Sequence, residues 1–220
     1  MTLEDLLQRI ADLQNEHGDP VIIGVVGAPG AGKTTLVEQL MQRLNTAEPV
    51  PERQYHAHVP MDGYHLADVE LIRLGRLDRK GAPDTFDAHG YAALLKRLRE
   101  PRHAVTYAPG FERTLEQPIA GAIPVFPAAT TILTEGNYLL LDEPGWQDVQ
   151  QQCTEIWYCD QDDELRKERL IARHIHFGKN PTAAKQWVEE VDETNAQLIH
   201  NTRHRADLVV TLEESLELSE

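Results

Sequence analysis

Apolar and polar positions along this chain switch repeatedly between helical spacing and short unbroken runs. Leu3, Leu6, Leu7, Ile10 and Leu13 share one face of a helix over residues 3–16, and His17-Gly18-Asp19-Pro20 stops it. Val21-Ile22-Ile23-Gly24-Val25-Val26 reads as a buried strand, and Leu36, Leu40 and Leu44 mark a helix to about Asn45. Glu48-Pro49-Val50-Pro51 reads as a loop. Tyr55 to Met61 reads as a second strand ending at Asp62-Gly63-Tyr64-His65, and Ala67 to Leu74 as a short helix. Residues 75–86 are polar and irregular, Asp87 caps a helix to about Arg99, and Pro101 follows its end. Ala104 to Tyr107 predicts a short strand, and the proline-bearing stretch Pro109 to Pro127 a long loop with room for a small hairpin. Strands follow at Thr130 to Thr134 and Glu155 to Cys159. A helix runs from Asp162 to His174, Phe177-Gly178-Lys179-Asn180-Pro181 breaks the pattern, and a helix runs from Thr182 to Ile199. Asp207 to Thr211 is the last strand, before an acidic tail. There are no internal repeats, and no linker divides the chain. The alternation predicts an α/β fold, a mostly parallel sheet with helices on both faces, in one domain over residues 1–220. Ligands then sit at the carboxyl ends of the strands.

Composition narrows the function classes. The 220 residues are 41% hydrophobic and 26% charged, as in a folded domain that buries a sizeable core. The net charge of −15 argues against binding nucleic acid or an anionic membrane surface, although basic residues are free to cluster in one pocket. Cys153 and Cys159 make neither a disulfide framework nor a four-ligand zinc site, so a reducing cytoplasm is the expected location. No apolar run approaches the ~18 residues of a membrane span, and Leu-Glu-Asp-Leu-Leu near the N-terminus is too acidic for a signal peptide.

The sharpest signal is Gly27-Ala28-Pro29-Gly30-Ala31-Gly32-Lys33-Thr34, which fits G-x-x-x-x-G-K-[ST] between a strand and a helix. Glycines let successive N–H groups turn toward phosphate oxygens, and the helix N-terminus adds its positive dipole end. Lys33 then reaches the β and γ phosphates, Thr34 binds Mg²⁺, and Thr35 belongs to the same nucleotide-binding turn. Asp62 and Glu135 end two strands on the rim that holds this loop. Phosphoryl transfer needs such carboxylates, to orient the metal or to accept a hydroxyl proton. Arg166, Arg169 and Arg173 share a helix face and predict a lid that closes over the transferring group, spanning about residues 166–182. His56 and His58 alternate on a strand, but a satisfied or exposed pair outweighs a metal site.

These motifs occur in a specific order: the phosphate loop, Met-Asp-Gly-Tyr-His at 61–65, Lys-Gly-Ala-Pro-Asp-Thr-Phe-Asp at 80–87, Tyr-Ala-Pro-Gly-Phe-Glu-Arg at 107–113, Glu-Gly-Asn-Tyr-Leu-Leu at 135–140, and Arg-Lys-Glu-Arg-Leu-Ile-Ala-Arg-His at 166–174. In that order they resemble the phosphoribulokinase/uridine kinase/pantothenate kinase family of P-loop kinases, nearest to a bacterial branch of nucleoside/nucleotide or fructose-transport-associated kinases. The resemblance runs from about Val21 to Val210 and implies a P-loop fold with a small helical lid. It also implies ATP and Mg²⁺ as cofactors, a small-molecule hydroxyl acceptor, and compatibility with a homodimer. It makes Asp62 the general base, with Lys33 and Arg166 catalytic. Arg166 and Arg169 match lid arginines that contact phosphates; Arg169, with Arg173 of the same stripe, joins Gly27, Ala28, Pro29, Gly30, Ala31, Gly32, Lys33, Thr34 and Thr35 at the nucleotide, and Thr34 and Glu135 serve the metal. Asp62, Tyr64, His65, Asp84, Tyr107, Phe111, Arg113 and Glu135 line the acceptor site, within insertions at about 62–86 and 107–127. Residues 107–113 depart from the usual uridine kinase segment, and the bulkier aromatic segment of pantothenate kinases is not evident. The implied reaction is therefore firmer than the implied acceptor, which is nucleoside-, sugar- or pantothenate-like.

Other classes leave signatures that are missing. A guanine-reading Asn-Lys-x-Asp loop is not present, nor a Leu-Ser-Gly-Gly-Gln-like transporter motif. A non-catalytic nucleotide sensor remains as the rival reading.

Overall fold

The computed structural model describes residues 1–18, 20–47 and 55–211. The loop read at Glu48 to Pro51, Asp19 and the acidic tail lie outside the described residues.

The central strand β1 (Val21–Val26) is buried along its whole length, as an unbroken run of β-branched residues requires. It pairs in parallel with β5 (Thr131–Gly136) and β6 (Glu155–Asp160). The short β2 (His56–His58) and β7 (Leu208–Thr211) complete a five-stranded parallel sheet of order β2-β5-β1-β6-β7. Alternation along β1 splits the core. Val21, Ile23 and Val25 face α1 (Leu3–His17) and α2 (Lys33–Ala47), where Leu6, Ile10, Leu36 and Leu40 pack. Ile22 and Val26 face the opposite layer, built on α4 (Ala88–Arg99) and α5 (Trp146–Gln152). Each fully buried aliphatic side chain contributes about 1.5–3 kcal/mol, so the two layers hold the sheet from both sides.

The register places the site. Val25 pairs with Glu135 and Val26 with Gly136, so β1 and β5 end side by side. His58 pairs with Leu133 on the other side of β5, and the Val59 N–H donates to the Leu133 carbonyl at 2.9 Å. The turn after β2 therefore emerges beside Glu135.

Three expectations need correction, and one helix carries no signal in the sequence. The strand read over Tyr55 to Met61 shrinks to three residues, because Pro60 has no N–H for the ladder and a 3₁₀ turn follows at Met61–Tyr64. The long loop read at Pro109 to Pro127 is mostly an antiparallel ribbon of β3 (Thr106–Glu112) and β4 (Gln117–Val125). A two-stranded ribbon leaves outward donors unused, so its prolines cost little. The helix α5 was missed, since only Trp146 and Val149 of its seven residues are buried, too few for a period. The helix read over Thr182 to Ile199 is α7 (Pro181–Trp187), a π turn at Val188–Asp192 and α8 (Glu193–His200). Asp162 caps α6 (Asp163–His176), and Asp87 caps α4, as their positions suggest. α3 (Asp68–Leu74) stands between β2 and α4. Among the described residues no helix is long and apolar enough to cross a membrane. Both cysteines are free thiols.

Candidate active site

The loop between β1 and α2 is fixed from behind. Gly30 takes φ of +79°, and a Cβ there would lie 2.8 Å from the Arg166 carbonyl oxygen, so only glycine fits. Lys33 Nζ donates to the carbonyls of Gly27 at 2.9 Å and Ala28 at 3.1 Å. Arg166 Nη1 donates to the Pro29 carbonyl at 3.2 Å, and Cys159 Sγ to the Ala31 carbonyl at 2.9 Å. A peptide N–H points opposite to the C=O of its own unit. Arg166 and Cys159 lie outside the cavity lining, so holding the Pro29 and Ala31 carbonyls turns the amides of those two peptide units the other way, the arrangement an anion needs.

That cavity, about 470 Å³, brings together Lys33, Thr34, Asp62, Glu135, His65 and Phe111, and Arg113 and Arg173 line it too. Glu135 is 8% exposed and accepts from the Thr34 hydroxyl at 3.3 Å. Burial pushes its carboxyl up to about 7, the Asp62 charge adds to the push, and Lys33 opposes it. Burial likewise lowers Lys33, with Glu135 opposing. A hydroxyl and a carboxylate are the hard oxygen donors that Mg²⁺ takes, and a carboxyl driven toward protonation by burial is one that a cation satisfies. The residues present therefore fit this ion. Asp62 sits in the 3₁₀ turn at 61–64 and accepts from Arg113 Nη2 at 3.3 Å. His65 stacks on Phe86 at 4.0 Å and on Phe111 at 5.0 Å between ring centres. Burial brings His65 down to about 4, so it is neutral at pH 7 and extends the aromatic wall. His58 is lowered to about 4 for the same reason, 4.0 Å from Glu135. Among the described residues no group of three or more His, Cys, Asp or Glu side chains gathers as a metal cluster.

Several expected residues lie elsewhere. Tyr64 packs on Tyr91 at 4.8 Å, in the layer beneath the turn. Asp84 is held by Arg79 at 2.5 Å and Arg76 at 3.4 Å, outside the cavity lining. Tyr107 is 60% exposed and belongs to a separate surface groove beside Arg97 and Arg102. Arg166 does not reach over the phosphate loop. It is 1% exposed, and its guanidinium is committed to Pro29, to Asp163 at 3.1 Å and to Glu193. It braces the loop from beneath, while Arg173, two turns on, lines the cavity. Arg169 and Thr35 are outside the lining. The sequence reading missed Lys80, Asn137, Trp187 and Asp192, which do line it. Asn137 follows Glu135-Gly136 directly and was within reach of that motif. Asp192 was not, because its site position depends on the π turn, where it accepts from His174 Nε2 at 2.8 Å.

Gly63 shows how tightly Asp62 is placed. A Cβ there would lie 2.3 Å from the Pro109 carbonyl oxygen of β3. Gly63→Ala must separate the turn from the ribbon and move Asp62 with it. We expect turnover to fall by about 10²-fold, the usual cost of a 1 Å misplacement, with secondary structure kept by circular dichroism. Unchanged turnover would show that Asp62 need not be held there.

No protein-family model matches the chain. A Schizosaccharomyces pombe protein with a provisional uridine kinase name is 30% identical over 199 residues, covering 87% of this chain and 81% of that one. A crystal structure from Silicibacter sp. TM1040, provisionally named a fructose transport system kinase, is 34% identical with a TM-score of 0.83, covering 96% and 99%. YFH7 of Saccharomyces cerevisiae, described as a circularly permuted P-loop kinase, shares the fold at a TM-score of 0.79 and 18% identity, covering 96% and 99%. The glycine loop at the end of a buried central strand, the carboxylates Asp62 and Glu135 in the cavity beside it and these likenesses agree: the chain belongs to the phosphoribulokinase/uridine kinase/pantothenate kinase family of P-loop kinases.

Proposed function

We propose that this chain is an ATP-dependent kinase that transfers the γ-phosphoryl group to an alcohol hydroxyl of a small nucleoside-, sugar- or pantothenate-like acceptor. The observation that carries this reading is the convergence of Asp62 and Glu135 on one cavity with Lys33 and Thr34. A nucleotide sensor needs the loop and a metal site. It has no use for a second carboxylate facing an aromatic wall.

When bound, ATP and Mg²⁺ would supply the transferable phosphoryl group and its counter-charge, and the loop, Thr34 and Glu135 would hold them. Lys33 neutralises charge that develops on the phosphoryl oxygens, and Arg173, which lines the same cavity, adds to this. Asp62 accepts the proton of the acceptor hydroxyl as its oxygen attacks, a contribution of about 10²–10⁴-fold. His65, Phe86 and Phe111 wall the acceptor and exclude water. Supplying the acceptor then raises ATP consumption well above the rate with ATP alone. Equal rates with and without every acceptor offered, in a protein that binds ATP, would favour the sensor.

The same geometry divides the helical lid. The start of α6 is tied to the loop through Arg166, so the part free to close begins near Arg173. With an unhydrolysable ATP analogue and Mg²⁺, hydrogen exchange should slow over about residues 173–182 and change little around Arg166. Identical exchange with and without nucleotide would rule out closure.

A further inference from the structure

We propose that the acceptor carries an anionic group, a carboxylate or a phosphate ester, and that Arg113 binds it. This rests on the kinase reading above and narrows its acceptor.

The chain has 21 basic against 36 acidic residues, yet the ribbon side of the cavity gathers cations. Lys80 Nζ lies 5.7 Å from the centre of the Phe111 ring, and the Arg113 guanidinium carbon 5.8 Å from it. Arg173 faces the same space, close enough that Arg113 repels it and disfavours its charge after burial has done so. The carboxylates lining the cavity are Asp62, Glu116, Glu135 and Asp192; Arg113 bonds Asp62, and its charge is also felt at Glu135.

The two ribbon-side cations are held differently. Lys80 is committed to Asp68 at 2.7 Å and to the Glu116 carbonyl, so it is a fixed charge. Arg113 makes one longer contact, to Asp62 at 3.3 Å, with its side chain 46% exposed. An exposed pair of this kind is weak and exchanges readily. A guanidinium has a fork of donors, more than one carboxylate contact uses, and it matches carboxylate or phosphate oxygens two at a time. An anion seated on Arg113 beside Phe111 lies on the acceptor side, away from Lys33. Its hydroxyl end then reaches Asp62, whose contact with Arg113 gives way to the anion. An uncharged acceptor leaves Arg113 on Asp62 and gains nothing from Lys80. A cavity of about 470 Å³ that also admits the end of a triphosphate leaves room only for a small acceptor.

The test pairs each neutral hydroxyl compound with its anionic counterpart: glycerol with glycerate, pantothenol with pantothenate, fructose with fructose phosphate, uridine with uridine monophosphate. ATP consumption by the full chain is measured with each. At least one anionic member should be used ten-fold or more better than its neutral partner. The carboxylate and phosphate arms show which anion is read. With that acceptor, Arg113→Gln should raise the acceptor KM ten-fold or more and leave the ATP KM unchanged, and Arg113→Lys should recover part of the loss. A residue that only steadied Asp62 would lower kcat instead and leave the acceptor KM alone, which would overturn the proposal. Neutral members used as well as their anionic partners would overturn it too, while the kinase reading stood. No stimulation by any member would overturn both.

Discussion

Replacing Lys33 by Met lowers turnover by at least about 10²–10³-fold, the usual effect of removing one donor aimed at developing charge in a dry site. Lys33 is 9% exposed and its Nζ sits among the carbonyls of Gly27 and Ala28. Met keeps the length of the stem and removes the charge. The two carbonyls lose a donor, but a desolvated cation is removed as well. These effects oppose, and stability should change by no more than ~2 kcal/mol. Thermal unfolding beside steady-state kinetics separates the two readouts. A folded Lys33→Met protein with normal turnover would contradict a role at the phosphates.

Asp62→Asn lowers kcat by about 10²–10⁴-fold and leaves ATP affinity nearly unchanged. Asn keeps the shape and an oxygen for Arg113, and loses the basicity that takes up a proton. Glu135→Gln behaves differently, because Glu135 accepts from the Thr34 hydroxyl, its proposed partner in holding Mg²⁺. It raises the Mg²⁺ concentration needed for half-maximal rate. Glu135 lies in β5 and Asp62 in the turn that follows the neighbouring β2, so the contrast tests the division of labour rather than mere proximity. If the effects were exchanged, the roles would have to be exchanged with them. Full kcat in Asp62→Asn with the true acceptor would remove Asp62 from the reaction.

How far the sequence carries depends on how local each cause is. The buried run at 21–26 and the glycines after it act within one stretch of chain, so strand, loop and helix were legible together. Asp62 and Glu135 were legible because parallel strands deliver their carboxyl ends to one rim. The caps at Asp87 and Asp162 are likewise local. What failed were relations across the fold. Arg166, Arg169 and Arg173 share a helix face in sequence, but Glu193 and the Pro29 carbonyl bury Arg166 under the loop and leave Arg173 in the cavity. Asp84 has motif company that points to the acceptor, yet Arg76 and Arg79 hold it outside. The ribbon at 106–125 was hidden by its prolines, which a central strand excludes and an open pair of strands accepts.

The most direct test of phosphoryl transfer follows label from γ-³²P-ATP in the wild-type protein and in Asp62→Asn, with the acceptor chosen by the paired screen. Label should appear on the acceptor with the wild-type chain, and its transfer should fall by about 10²–10⁴-fold with Asp62→Asn while ATP still binds. Label that reaches only inorganic phosphate, or that reaches the acceptor equally in both proteins, would contradict transfer to a hydroxyl governed by Asp62.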